Sequence, residues 1–295
     1  MSEMKIKGTY TALVTPFKDG LVDTDAYNQL IESQIDAGVE GIVPVGTTGE
    51  SPTLNHEEHL RVIEIAVKRG KVKTQVIAGT GSNSTAEAVE MTQGAQELGA
   101  DGALLVAPYY NKPSQEGLYQ HFMAIANSVD IPLVLYSIPG RCVIEIHEDT
   151  VARLAADAPN IVAIKEAGGS VDRVSRLRQV LPEDFVILSG DDSLTVPFMS
   201  VGASGVISVA SNIIPAEVKA LVDAAAAGKY AEAEAMHRKY YRIFIQLFME
   251  PNPAPIKAAL AQKGLMSADV RLPLVNMQES NQAVLFETMK TAGIL

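Results

Sequence analysis

Lys165 combines a residue type and a position that suggest covalent chemistry. It follows the apolar run of residues 161–164, which is typical of a buried β-strand, so its amine is partly removed from water. Desolvation lowers the pKa of a lysine, and a neutral amine can attack a carbonyl carbon to form a Schiff base. The other interpretation is a structural lysine that pairs with a nearby carboxylate such as Glu166 or Asp191.

Polar residues that suit binding or proton transfer follow other apolar runs. Thr47 and Thr48 lie in a Gly-Thr-Thr-Gly segment, which offers hydroxyls and backbone N–H groups to an anion. Tyr136 ends another run and could pass protons, or could pack with its hydroxyl bonded to the backbone. Arg141 follows in a Pro-Gly loop and could hold a carboxylate with two parallel hydrogen bonds, or could be an ordinary surface arginine.

The common metal and cofactor motifs are incomplete in this chain. No Gly-Lys-Ser/Thr follows the Gly-Thr-Thr-Gly segment, and Gly-Thr-Gly at residues 79–81 does not complete a dinucleotide fingerprint. His56 and His59 are three residues apart, whereas a zinc helix of the HExxH type needs four. Cys142 is the single cysteine, which excludes an intramolecular disulfide. We therefore expect neither a metal nor a cofactor.

The composition narrows the class of protein. The 295 residues include 24 Lys and Arg against 35 Asp and Glu, and a formal net charge of −11 gives nucleic-acid backbones little attraction. Hydrophobic residues make up 47%, which excludes a disordered chain. The first residues lack the apolar segment of a signal peptide, and no run approaches the ~20 apolar residues of a membrane span. We expect a cytoplasmic protein without nucleic-acid or membrane partners.

Eight short apolar runs are the candidate strands that would position these residues. Each run is continuous rather than alternating, as in parallel strands that are buried on both faces. The runs are residues 10–14, 41–45, 76–78, 103–107, 133–136, 162–165, 186–188 and 205–209.

The segments between the runs have helical patterns. Asn55 with Glu58 and Ser84 with Glu87 have the spacing of a helix cap and its reciprocal partner. Eight strand–helix repeats predict an α/β fold, a (β/α)8 TIM barrel, with a doubly wound open sheet as the runner-up. About 85 further residues contain helical stretches. We predict a catalytic barrel over residues 1–225 and a helical extension packed on it over residues 226–295.

Taken with their neighbours, these residues resemble the dihydrodipicolinate synthase (4-hydroxy-tetrahydrodipicolinate synthase) family. This family belongs to the pyruvate-dependent class I aldolase/lyase superfamily, which includes N-acetylneuraminate lyase. The resemblance runs nearly end to end, in the order and at the spacing of a barrel. It covers residues 8–17, 46–51, 109–117, 136–141, 164–167, 188–192, 205–209 and 252–257.

The resemblance implies a lyase that uses no cofactor and forms a Schiff base between Lys165 and pyruvate. Tyr136 would relay protons, and Thr47 would link it to Tyr110 from a neighbouring subunit. Thr47 and Thr48 would bind the pyruvate carboxylate.

The second substrate implied by the resemblance is L-aspartate 4-semialdehyde, in the synthesis of lysine and diaminopimelate. Arg141 would hold its carboxylate, and the backbone at Gly190 and Ile207 would line the site. The double threonine together with Arg141 favours this reaction over that of the neuraminate lyases.

Three positions depart from the family pattern. Ser137 stands where Asn is usual, and Cys142 and Val143 stand where Thr-Gly is usual. A related aldolase or dehydratase for a sugar-derived 2-keto acid therefore stays open. A non-catalytic pyruvate-binding barrel is the alternative from a different class.

The resemblance also implies regulation and assembly. L-lysine would act as an allosteric feedback inhibitor, with Glu87 pairing the ligand's ammonium. The chain would form a homotetramer, a dimer of tight dimers. The positions that match the lysine site are Ser51, His56, His59, Asn83, Glu87 and Tyr109.

Overall fold

Eight parallel strands close into a barrel in the computed structural model, which describes residues 6–71 and 73–295. The strands in chain order are β1 (Gly8–Ala12), β2 (Phe17–Lys18), β3 (Leu21–Val22), β4 (Gly41–Val43), β5 (Gln75–Gly79), β6 (Gly102–Val106), β7 (Leu133–Ser137), β8 (Ile161–Glu166), β9 (Val186–Ser189) and β10 (Gly205–Ser208). β2 and β3 form a separate antiparallel hairpin. The other eight strands make the barrel, which closes where β1 pairs with both β4 and β10.

Helices follow the strands and cover the outside of the barrel. They are α1 (Thr24–Asp36), α2 (His56–Gly70), α3 (Thr85–Glu97), α4 (Gln115–Ala126), α5 (Pro139–Cys142), α6 (Glu148–Asp157), α7 (Val171–Val180), α8 (Thr195–Met199), α9 (Pro215–Ala226), α10 (Tyr230–Gln246), α11 (Ala254–Gln262) and α12 (Glu279–Thr291). The last three follow the barrel repeats and pack against α9, α8 and one another.

The apolar runs of the sequence account for the barrel. Each of the eight predicted runs overlaps one barrel strand, and the predicted barrel with a helical extension is confirmed. The strand residues are buried on both faces because one set fills the barrel interior and the other set meets the helices. The predicted boundary at residues 225 and 226 falls in the last turn of α9, and the division into two domains stays a prediction.

The predicted reciprocal cap at Asn55 is present, whereas the one at Ser84 is only half formed. Asn55 forms the full reciprocal cap, since its Oδ1 accepts from Glu58 N at 2.9 Å and its N–H donates to Glu58 Oε2 at 3.2 Å. Ser84 does accept from Glu87 N. The Glu87 carboxylate, however, does not return to Ser84, because it binds Ser82 and His56 instead.

The short elements had no usable sequence signal. The β2–β3 hairpin has two residues per strand, and α5 has four residues, so neither is long enough to show a period. α5 nevertheless matters, because it places Arg141 and Cys142 directly after β7.

The described residues contain neither a membrane-spanning helix nor a metal-binding cluster. None of the helices there combines the length and apolar character that a membrane crossing requires. The same residues hold no group of three or more His, Cys, Asp or Glu side chains arranged to bind a metal ion.

Candidate active site

Lys165 is buried at the carboxyl end of β8, beside Tyr136 on β7. The two residues are direct partners in the strand register, and Lys165 Nζ lies 4.2 Å from the centroid of the Tyr136 ring. Only 6% of Lys165 is exposed. Burial lowers the pKa of its amine; the Asp192 carboxylate opposes this shift, the nearby Arg141 charge adds to it, and the resulting pKa is about 7. A large share of this amine is therefore neutral near physiological pH.

The Tyr136 hydroxyl is held in its protonated form. Burial raises the pKa of this phenol above its ordinary value, while Arg141 and the hydrogen bond from the Thr47 hydroxyl oppose the shift. A phenol that keeps its proton close to a neutral amine can act as a proton donor in a reaction at that amine.

The loop after β4 presents two backbone donors. Its turn is closed by hydrogen bonds from Gly49 N and Ser51 N to the Gly46 carbonyl, at 3.0 and 3.3 Å. Among the described residues, the N–H groups of Thr47 and Thr48 donate to no acceptor. The Thr48 side chain is buried, and its hydroxyl accepts from Asn252 Nδ2 at 2.9 Å. The loop can therefore bind an anion through its backbone.

A cavity of about 220 Å³ opens at this end of the barrel. The residues that surround it include Gly46, Thr47, Tyr109, Tyr136, Arg141 and Cys142. The cavity is therefore bordered by a hydroxyl, a phenol and a guanidinium, and Lys165 packs against the Tyr136 ring that forms part of its wall.

Gly190 lies beside the lysine stem, directly after β9, and Ile207 lies in the barrel interior. A methyl group added at Gly190 would lie 3.0 Å from Lys165 Cε and 2.7 Å from Ala167 Cβ, so the lysine stem needs the space that a glycine leaves. Ile207 is fully buried on β10 and packs in the interior cluster with Tyr136 and Leu188.

Tyr110 is the predicted site residue that the structure does not bring to the others. It is 89% exposed, with a left-handed backbone at a φ of 72°, and it does not line the cavity. Its neighbour Tyr109 does line the cavity. A link from Tyr110 through Thr47 to Tyr136 is therefore not formed within one chain.

The comparison with known proteins assigns this arrangement to a family. The sequence model of the Dihydrodipicolinate synthetase family matches residues 5–292. The chain belongs to this family. The 4-hydroxy-tetrahydrodipicolinate synthase of Geotalea uraniireducens is 53% identical over 289 residues, which cover 98% of this chain and 99% of that protein. The family predicted from the sequence, and with it an enzyme of the lyase class, is confirmed.

Solved structures of the family have the same fold. The 4-hydroxy-tetrahydrodipicolinate synthase of Methylacidiphilum fumariolicum SolV has a TM-score of 0.97 and 52% identity over 98% of this chain and 96% of its own. The enzyme of Acinetobacter baumannii, described as chloride-inhibited and complexed with pyruvate, has a TM-score of 0.96 and 45% identity over 98% and 100%. The enzyme of Cyanidioschyzon merolae, with lysine bound, has a TM-score of 0.96 and 42% identity over 99% and 100%.

Of the three departures from the family pattern, only one reaches the cavity. Ser137 is buried and accepts a long hydrogen bond of 3.5 Å from Ile146 N. Val143 is 66% exposed and has a left-handed φ of 67°, a strained conformation for a β-branched residue. Cys142 lines the cavity and donates to the Ala107 carbonyl, and burial raises the pKa of its thiol to about 11. This thiol is therefore an inert wall residue.

Several of the residues predicted to form a lysine site lie together in a second polar cluster next to the cavity. Glu87 Oε1 lies 2.5 Å from His56 Nε2, and Glu87 Oε2 accepts from Ser82. These hydrogen bonds hold the pKa of the Glu87 carboxyl below its ordinary value, so it stays ionised. Asn83 Nδ2 donates to the Tyr109 carbonyl at 3.1 Å.

The other two members of the set lie at the edge of this cluster. Ser51 lines the cavity itself. His59 is buried, and its Nε2 lies 2.7 Å from the Gly79 carbonyl. Desolvation lowers the pKa of His59, so its ring is neutral and already engaged.

Two buried polar residues around the site, Asp192 and Asn252, had no role predicted from the sequence. Asp192 accepts from the Ser208 hydroxyl and from the N–H groups of Val209 and Ala210, which ties the loop after β9 to the end of β10. Asn252 reaches Thr48 from the segment before α11. Both lie in stretches that carried the family resemblance, and that was the only signal pointing to them.

Proposed function

We propose that the protein is a 4-hydroxy-tetrahydrodipicolinate synthase that condenses pyruvate with L-aspartate 4-semialdehyde through a Schiff base on Lys165. The observation that carries this proposal is the buried Lys165 amine, with a pKa near 7, next to the Tyr136 phenol. Relatives that match nearly the full chain at about half identity carry this enzyme name and support it.

The first half of the reaction uses pyruvate. The neutral Lys165 amine attacks the pyruvate keto carbon, while the N–H groups of Thr47 and Thr48 bind the carboxylate. The Tyr136 hydroxyl supplies the proton with which the carbinolamine oxygen leaves as water, and an imine forms. The Tyr136 phenolate left by this step then takes a proton from the methyl group, the protonated imine accepts the electron pair of that C–H bond, and the enamine forms.

The second half uses the aldehyde. Arg141 borders the cavity and is exposed, so it binds the carboxylate of an incoming L-aspartate 4-semialdehyde. The enamine carbon attacks the aldehyde carbon, whose oxygen takes the Tyr136 proton and becomes the 4-hydroxyl group. The amine of the condensed product then attacks the imine carbon, closes the ring and releases Lys165.

We propose three further properties that rest on the family. Tyr110 enters the site of a neighbouring chain in a homotetramer, L-lysine binds at the cluster around Glu87, and the enzyme works in the cytoplasm. Support for the first is the exposure of Tyr110, and support for the second is the lysine-bound relative together with an ionised Glu87.

A trapping experiment followed by an aldehyde panel tests the function. Borohydride reduction with pyruvate should leave a stable adduct on the peptide that contains Lys165, and Lys165→Ala should leave none. Pyruvate-dependent consumption of L-aspartate 4-semialdehyde should exceed that of N-acetylmannosamine and small sugar aldehydes. Absence of the adduct would favour a non-catalytic barrel, whereas an adduct with preference for a sugar aldehyde would favour another aldolase.

A further inference from the structure

A buried ion pair joins the loop after β4 to the C-terminal helices. Lys257 on α11 pairs with Glu50, and both side chains are 0% exposed although 207 residues separate them. Lys257 Nζ also donates to the Asp269 carbonyl at 2.8 Å, and Glu50 Oε2 accepts from Arg271 N at 3.0 Å. Removing two charges from water is costly, and an apolar pair of similar volume often stabilises a fold equally well. The pair therefore calls for an explanation other than stability.

Glu50 lies in the same loop as the two threonines and is separated from Thr48 by Gly49 alone. Its backbone has a left-handed φ of 57°, which is unfavourable for a non-glycine residue and persists only where the surroundings hold it. Its N–H donates to the Thr47 carbonyl at 3.1 Å. Because its side chain is bonded to Lys257 on α11 and its backbone to the Thr47 carbonyl, Glu50 constrains the peptide group that joins Thr47 to Thr48 and carries the Thr48 N–H.

A second contact reaches the same loop from the start of α11. Asn252 Nδ2 donates to the Thr48 hydroxyl at 2.9 Å. The Asn252 side chain is buried, and among the described residues its Oδ1 has no hydrogen-bond partner. The C-terminal segment thus holds the loop on both sides of Gly49, through Thr48 and through Glu50.

A third contact anchors the far end of the segment. The Arg271 guanidinium binds both Glu58 oxygens, at 2.7 and 2.8 Å, and donates to the Thr53 carbonyl at 3.1 Å. Both cations also pack on the Phe17 ring, with Lys257 Nζ 4.1 Å and Arg271 Cζ 4.3 Å from its centroid. The loop and the first turn of α2 are therefore fixed to one rigid support.

We propose that Glu50, Lys257 and Asn252 are positioning residues, through which the C-terminal helices hold the N–H groups of Thr47 and Thr48 in the orientation that binds the pyruvate carboxylate. This inference rests on the proposed function, because it assumes that the loop binds pyruvate. None of the three side chains lines the cavity, so they act through the loop rather than on the substrate.

The test separates positioning from stability. We would compare wild type, the charge-free double variant Glu50→Gln/Lys257→Met, Asn252→Ala and the surface control Arg238→Met, whose ion pair with Glu234 is exposed on α10. The readouts are the melting temperature of each protein and its kcat and KM for each substrate. The kinetic constants are measured at a temperature below the melting transition of every variant. Pyruvate trapping by borohydride without aldehyde reports binding alone.

The expected result is a rise of about tenfold or more in the pyruvate KM for the double variant and for Asn252→Ala, as for loss of a charge-assisted contact. In these variants the kcat at saturating pyruvate should change less than threefold, and the KM for the aldehyde should not change. The Arg238→Met control should keep the wild-type kinetic constants. Folded variants with an unchanged pyruvate KM would overturn the proposal. If the double variant fails to fold, Asn252→Ala decides alone.

Failure of the proposed function gives a different result. In that case wild type itself would not be trapped by borohydride with pyruvate. If wild type is trapped and the variants are trapped at the same pyruvate concentration, only the positioning role is wrong.

Discussion

Lys165 Nζ lies over the Tyr136 ring, 4.2 Å from its centroid, because the two residues are register partners at the ends of β8 and β7. The amine and the phenol are buried together, and burial moves their pKa values in opposite directions. The pKa of the amine falls to about 7 while that of the phenol rises. The phenol is therefore uncharged near neutral pH, and a large share of the amine is uncharged as well.

The first prediction concerns the pH dependence of imine formation. The nucleophile is the neutral amine, so trapping of pyruvate by cyanoborohydride should rise roughly tenfold per pH unit well below 7 and level off above it. Mass spectrometry of the Lys165 peptide gives the rate, and peptides with exposed lysines such as Lys229 serve as internal controls. A rate that keeps rising to about pH 10 would mean that the pKa of Lys165 is not lowered.

The second prediction concerns the Tyr136 proton. Tyr136→Phe keeps the ring packed against Lys165 but removes the hydroxyl, so kcat should fall by ~10²–10⁴ while the melting temperature changes little. Steady-state assays and thermal melting measure both quantities. Tyr241→Phe, an exposed tyrosine on α10, is the matched control. A kcat within a few-fold of wild type would remove Tyr136 from the proton path.

The third prediction concerns the space that Gly190 leaves for Lys165. The methyl group of Gly190→Ala would lie 2.7 Å from Ala167 Cβ and 3.0 Å from Lys165 Cε, so the lysine stem must shift. Pyruvate trapping should slow by about tenfold or more, because small displacements of a reacting group are costly. At Gly140, by contrast, an added methyl meets no atom within 4 Å, which makes Gly140→Ala the control. Equal trapping rates in the two variants would contradict the steric argument.

The sequence predicted the barrel because its signals are local. Each apolar run is visible in a few consecutive residues. Gly38 and Gly99 likewise lie just after α1 and α3, where both have the left-handed backbone that commonly ends a helix. The contacts that hold the site are not local. In the sequence, Lys257 is indistinguishable from an ordinary helix lysine, and its contact with Glu50 is visible only in the folded structure. The sequence around Asn252 likewise gives no indication of its hydrogen bond to Thr48. Glu87 shows the same limit, since its cap spacing is correct but its carboxylate is bound elsewhere.

The fourth prediction concerns a site shared between chains. Tyr110 lies on an exposed loop with a left-handed backbone, outside the cavity of its own chain. Tyr110→Phe should therefore reduce kcat, and mixing its chains with Lys165→Ala chains should restore part of the activity, because one site in a mixed dimer then has an intact lysine and an intact tyrosine. Native mass spectrometry must show the mixed species. If mixed dimers form and no activity returns, Tyr110 does not act across an interface.

The fifth prediction concerns L-lysine. The Glu87 carboxylate stays ionised between His56 and Ser82 and can pair with an ammonium group, so millimolar-range L-lysine should inhibit the wild-type enzyme. Glu87→Gln should raise the lysine concentration for half-inhibition by about tenfold or more, because an ion pair is lost. Inhibition of each variant is measured relative to its own rate without lysine.

Glu90→Gln changes an exposed carboxylate on the same helix and should leave inhibition unchanged. Nε-acetyl-lysine, which lacks the side-chain charge, should inhibit only weakly. A wild-type enzyme that ignores lysine, or a Glu87→Gln variant inhibited as strongly as wild type, would show that this cluster does not sense lysine through Glu87.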